Sequence, residues 1–175
     1  MAATEQEVSF DRNELIITKT DLQGKITYAN RTFMRVANYV EADLLGRDHN
    51  LIRHPSMPRG VFYGLWHALK SGTEFFGFVK NYTSDKNYYW VFANITPDRI
   101  GTDVVGFYSV RRVAPKDAVQ TIEGIYQKMR ELEQATERKQ APEVSWRWLV
   151  DLIHQQYHME YEEYIIDLYQ QHRSD

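Results

Sequence analysis

The sequence predicts an α+β chain: two strands, several short helices, a three-stranded antiparallel meander, then C-terminal helices. Three observations carry this. Residues 75–112 hold three runs rich in aromatic and β-branched side chains, separated by turn-forming segments. Between residues 30 and 72 the apolar side chains fall instead at helical spacing. From Pro115 onward they recur every three or four positions between charged residues.

Residues 1–13 are polar and are expected to be frayed or loosely helical, a cap segment ahead of the domain. Glu14 to Thr20 contains Leu15, Ile16 and Ile17, a short apolar run that suits a strand. Asp21-Leu22-Gln23-Gly24 is a turn signal, and Lys25 to Ala29 alternates as a second strand. Asn30 stands where a helix N-cap belongs, ahead of Phe33, Met34 and Ala37. A helical turn over Val40 to Gly46 ends at the glycine. Residues 47–58 are irregular and rich in His and Pro, and Gly60 to Lys70 carries an apolar stripe of Val61, Phe62, Leu65, Trp66 and Leu69. The meander strands are Phe75 to Tyr82, Tyr88 to Thr96 and Val104 to Arg112. On the middle one, Tyr89, Val91, Ala93 and Ile95 alternate with Tyr88, Trp90, Phe92 and Asn94, so both faces should be covered. Residues 115–175 read as two helices with a break near 140–142; the second carries Trp146, Leu149, Ile153, Tyr157, Tyr161, Tyr164 and Leu168 on one stripe. The domain proper is therefore expected over residues 14–114.

Composition excludes several classes of function. The chain has 175 residues and no cysteine, which removes disulfides, thiolate catalysis, thiolate-held metal clusters and cysteine–cofactor photochemistry. Twelve Tyr, 8 Phe and 4 Trp argue against disorder. A formal net charge of -3 offers no basic surface for nucleic acid. No run reaches the roughly 20 apolar residues needed to span a bilayer, and the polar, acidic start is unlike a signal peptide, so a cytoplasmic location is expected. No phosphate-binding glycine loop, nucleophile elbow or paired carboxylates in a cleft-like segment suggest an enzyme.

The informative run is His49-Asn50-Leu51-Ile52-Arg53-His54-Pro55-Ser56-Met57-Pro58. Its prolines fix the backbone outside regular structure, and polar side chains on such a rigid segment often line a site. By composition alone, an ordered loop whose His and Arg cap nearby helices is the favoured explanation.

That run, together with Asn30-Arg31-Thr32-Phe33, Val79-Lys80-Asn81, Tyr89-Trp90-Val91-x-Ala93-Asn94-x-x-Pro97 and Gly106-Phe107-Tyr108-Ser109-Val110-Arg111, resembles the flavin-binding PAS domain of bacterial aerotaxis receptors. The resemblance runs in order from about residue 14 to about residue 126. It implies a PAS fold: a five-stranded antiparallel sheet with short helices on one face, holding FAD between them. It implies a sensor that passes redox or oxygen status to a signalling partner without catalysis. In the family, the Arg and His of this run, here Arg53 and His54, are needed for FAD, and Asn81 matches a residue that hydrogen-bonds the flavin ring. Ser56 stands where the family has an acidic residue, and Phe75 where it usually has Trp.

An isoalloxazine needs an apolar slot and a few polar groups matched to its edge. Asn81 and Asn94 can donate and accept there, Arg53 can neutralise a pyrophosphate, and Trp66, Phe75 and Trp90 can form walls. His49, Asn50 and Ser56 complete the candidate cofactor residues; no metal site is expected. FMN is the alternative flavin. Haem would require an inward-facing His67, and a cofactor-free interaction module is the competing class. His154 and His158 are four apart with Glu162 beyond, which a solvated helix surface explains. Self-association through the terminal helices is expected.

Overall fold

The computed structural model describes residues 4–173. Five strands form one sheet: β1 (Ile16–Asp21), β2 (Ile26–Ala29), β3 (Phe75–Tyr82), β4 (Tyr88–Ile100) and β5 (Asp103–Val113), in the order β2-β1-β5-β4-β3. Between β2 and β3 come α1 (Arg31–Ala37), α2 (Glu41–Leu44), a 3-10 turn (His49–Ile52) and α3 (Arg59–Lys70). After β5 follow α4 (Lys116–Gln134), α5 (Ala141–Tyr157) and α6 (Tyr161–His172). The chain divides into two compact units. One takes the chain up to Pro55 with Val79–Val113; the other takes Ser56–Phe78 with the chain from Ala114 on. The division therefore places α3 with the terminal helices, rather than cutting at residue 114.

In the first unit, β5 lies between β1 and β4, antiparallel to both. The β4–β5 hairpin runs further than the sequence predicts. Pro97 opposes Phe107 and Ile100 opposes Asp103, because Gly101 at φ +63° closes the tight turn beyond them. Residues Tyr89 to Ala93 are all buried, so both faces of β4 are covered, as the mixed alternation requires. Asn30 caps α1: its Oδ1 accepts from the Phe33 backbone N–H at 3.0 Å and from Ile17 N–H at 3.1 Å, while Nδ2 donates to Leu15 O. One side chain thus fixes the helix start to β1 and sets the position of the fully buried Phe33.

The N-terminal segment is not helical. Val8 N–H donates to Tyr88 O at 2.7 Å and Tyr88 N–H to Gln6 O at 3.0 Å, so the segment lies parallel to the start of β4. Residues 1–3 of the expected cap lie outside the described residues.

In the second unit α3 packs on α5, and α4 on α5 and α6. A Cβ added at Gly64 would lie 2.5 Å from the Trp146 ring, so only glycine admits that close approach. Glu133 near the end of α4 accepts from the backbone N–H of Arg59 and Gly60 and from Ser145 Oγ, which satisfies donors at the start of α3. The C-terminal region holds three helices, not two. His158 adopts φ +55° and ends α5, and α6 begins three residues later. An apolar stripe that continues across the break hid it.

Candidate functional site

The 3-10 turn and the residues after it are pinned beside the second half of β3. Arg53 and Asn81 form an isolated antiparallel bridge, and His54 N–H donates to Lys80 O at 3.2 Å. Pro55 then prevents the turn from continuing as helix.

Inward from this segment, β1, β3, β4, β5 and α1 contribute to a polar cluster inside an apolar shell. Arg111 on β5 is 2% exposed. Its Nη2 donates to Thr18 Oγ1 on β1, and its guanidinium carbon lies 5.2 Å from the Phe33 ring centroid. Thr18 Oγ1 is in turn 3.0 Å from His49 Nε2. Arg111 must donate, so the hydroxyl keeps its own proton and a second lone pair for His49. Burial, with Arg111 and Arg53 nearby, brings the His49 imidazole down to about 3. The residue keeps part of its surface in solvent, but its ring is desolvated and stacks parallel to Phe33 at 6.3 Å.

The cluster carries donors that the protein leaves unused. Arg111 Nε and Nη1 are buried without a hydrogen-bond partner among the described residues; the Tyr89 hydroxyl meets no strict geometric partner either, but interacts with the Asn81 amide. Asn81 and Tyr89 are 3% and 0% exposed. Burial lowers Arg111 to about 10 and raises the Tyr89 phenol, so at neutral pH one is a cation and the other a neutral hydroxyl. Among the described residues no carboxylate forms an ion pair with Arg111. Buried polar groups are nearly always paired in native proteins, so a set left with spare donors stands out. Positive charge, aromatic walls and unused donors suit a flat ligand that is neutral or anionic and rich in carbonyl or ring-nitrogen acceptors.

The other candidate residues separate into groups. His54 is buried, and its Nε2 lies 2.9 Å from Glu5 Oε2, with its ring 4.3 Å from that of Tyr82. The Tyr82 hydroxyl donates to the other Glu5 oxygen. Hydrogen bonds from Tyr82 and then His54 hold the Glu5 carboxyl below the usual carboxylate range. His54 therefore anchors the N-terminal segment to the irregular run. Asn50 is exposed, and its carbonyl accepts from Arg53 N–H. On β4, Ala93 opposes Arg111, so strand alternation puts Tyr89 on that face and Trp90 and Asn94 on the other. Ser56, Trp66 and Phe75 belong to the second unit. There Ser56 O accepts from Arg130 Nη1 at 2.6 Å, and Phe75 stacks on Tyr161 at 5.4 Å.

In the second unit Tyr63, His67, Glu143, Trp146, Arg147 and Val150 line an open groove of about 260 Å³ between α3 and α5. His67 is exposed and tilted against the Tyr63 ring at 4.4 Å, an orientation set by the helix surface. His154 and His158 are exposed as well, and no group of three or more potential metal ligands occurs among the described residues. No helix among them is long and apolar enough to cross a membrane.

Thr18, Phe33, Tyr89 and Arg111 are absent from the residues that the sequence marks as candidates. For Arg111 a signal exists: two successive arginines, Arg111-Arg112, end a strand, and alternation must turn one of them inward.

Comparison with known proteins agrees with this architecture. Residues 26–107 match the family described as the PAS fold. The aerotaxis receptor of Escherichia coli is 36% identical over 123 residues, which is 70% of this chain and 24% of the receptor. The nitrogen fixation regulatory protein of Klebsiella pneumoniae is 31% identical over 87 residues, half of this chain and 18% of that protein. The chain thus spans about a quarter or less of the length of these two relatives. Among solved structures, a light-oxygen-voltage domain studied with a flavin analogue superposes with a TM-score of 0.56 at 20% identity, covering 65% of this chain and 86% of its own. Sheet order, the helices that connect β2 to β3, and these matches agree: through residues 26–107 the chain belongs to the PAS-fold family.

Proposed function

We propose that the PAS domain of this chain binds a flavin, FAD in the first instance, and relays its redox state to a signalling partner as a sensor without catalysis. The observation that carries the reading is the buried cluster of Arg111, Tyr89, Asn81 and His49, in which Arg111 Nε and Nη1 and the Tyr89 hydroxyl meet no strict hydrogen-bond partner and Arg111 pairs with no carboxylate among the described residues. A flavin ring is flat, largely apolar on its faces and lined with acceptors on one edge, which fits that donor set. Arg53, on the pinned irregular run, would meet the phosphates, and the contact of His54 with Glu5 supports the run. When bound, the flavin supplies a reversible electron store. The relationship to the aerotaxis receptor supports the sensor role, and the light-oxygen-voltage domain studied with a flavin analogue supports flavin as ligand. A cytoplasmic setting and self-association through α4–α6 belong to the same proposal.

Freshly purified protein should be yellow, with the two-banded flavin spectrum bleached by dithionite. Arg53→Ala should abolish the colour and leave the far-ultraviolet circular dichroism unchanged. A Soret band would point to haem instead. Colourless protein that takes up neither FAD nor FMN would sink the flavin reading. Sedimentation as a strict monomer at high concentration would remove self-association from it.

A further inference from the structure

We infer that Arg111, with the Tyr89 hydroxyl, is the anchor for the ring edge of the bound ligand, and that Arg53 holds its phosphates; this rests on the flavin reading above. The two arginines sit in different surroundings. Arg111 is 2% exposed on the central strand of the sheet, against the Phe33 ring and the neutral His49. Arg53 is half-buried, on the irregular run next to exposed Pro55. A pyrophosphate carries more charge than one guanidinium neutralises, and complete burial would strip its hydration at large cost. It therefore belongs at the partly wet Arg53. A ring edge is uncharged, or carries at most one negative charge that a single guanidinium offsets, so its burial costs less than that of a pyrophosphate. It can occupy the deep position, where Arg111 Nε and Nη1, on different edges of the guanidinium, each lack a close protein acceptor among the described residues.

The inference separates a binding role from a structural one through the ligand-free protein. A guanidinium that braced the fold would leave a weaker fold when removed. One that is buried with unused donors and no carboxylate burdens the ligand-free state, so an apolar residue of similar length should not weaken it. Arg111 also donates to Thr18, and losing that hydrogen bond works in the opposite direction. The expected balance is a thermal midpoint unchanged or raised.

The full chain, stripped of bound flavin, should be titrated with FAD and with riboflavin, which has the ring but no phosphate. Arg111→Met should lose at least about tenfold in affinity for both ligands by the same factor, and its ligand-free melting temperature should equal or exceed that of the wild type. Tyr89→Phe keeps the shape of the side chain and keeps the test open if Arg111→Met fails to fold. It should weaken both ligands by about three- to tenfold. Arg53→Met should weaken FAD and spare riboflavin. Loss of FAD affinity with riboflavin unchanged in Arg111→Met would put Arg111 at the phosphates and overturn the inference. So would a wild type that binds both ligands while Arg111→Met and Tyr89→Phe bind them equally well, or a clear fall in the melting temperature of ligand-free Arg111→Met with unaltered affinity. A wild type that binds neither ligand would refute the flavin reading itself.

Discussion

Lowering the pH from 7.5 to 5.0 should weaken the ligand-free fold by about 2 kcal/mol through His49 alone. Burial, with Arg111 and Arg53 nearby, holds the folded imidazole at about 3, against an ordinary value of 6.5. Between those values the unfolded chain binds a proton that the folded protein refuses. Stability present above about pH 6.5 is therefore lost as the pH falls toward 3. A pH of 5.0 lies about 1.5 units below the unfolded imidazole's value of 6.5, and at about 1.36 kcal/mol per unit this gives the 2 kcal/mol. The figure hardly changes for any folded value below 4. Urea unfolding of wild type and His49→Gln at both pH values isolates the term, because the remaining histidines and all carboxylates are common to the two proteins. Wild type should lose about 2 kcal/mol more than the variant over this range. Equal losses would show that His49 is not held neutral, and the description of the cluster as positively charged by its arginines alone would fail.

Further outcomes follow from particular contacts. Phe33→Ala should cost about 3–5 kcal/mol in urea unfolding, since the ring is fully buried and supports both His49 and Arg111. Gly64→Ala should cost about 1–3 kcal/mol and alter tryptophan fluorescence, because a methyl group there displaces Trp146; an unchanged spectrum would count against that packing. Glu133→Ala should cost about 1–2 kcal/mol, read as a lower urea midpoint, through the lost acceptor at the start of α3. Glu5→Ala should speed hydrogen exchange at the Val8 amide at neutral pH. In the wild type the same release should come only in acid, as the pH falls through the lowered Glu5 value, since a depressed carboxyl stabilises above that value and stops doing so below it.

The strands were legible because their signal is local. Phe75 to Tyr82 reads as a strand from its aromatic and β-branched content, and β3 has those same ends. Asn30 reads as a cap because a side-chain acceptor ahead of an apolar helix face has few other uses. The break at His158 was not legible. His158-Met159-Glu160 contains neither Gly nor Pro, and the chain turns there by a left-handed residue whose N–H still donates to His154 O. The site divides the same way. His49, Arg53 and Asn81 announce themselves by lying in or near an unusual run. Phe33, Thr18 and Tyr89 sit inside ordinary-looking elements, and only the three-dimensional pairing of β1, β4 and β5 brings them to Arg111.

The triple acceptance by Glu133 bears on how the protein is made. The first turn of α3 depends on a carboxylate synthesised more than seventy residues later, and the Ser145 that shares it comes later still. During translation, Arg59 and Gly60 must wait with bare amides until α4 and the start of α5 have left the ribosome. A nascent chain arrested near residue 114 should therefore present α3 as the least protected stretch to a protease, and release of the remaining residues should seal it.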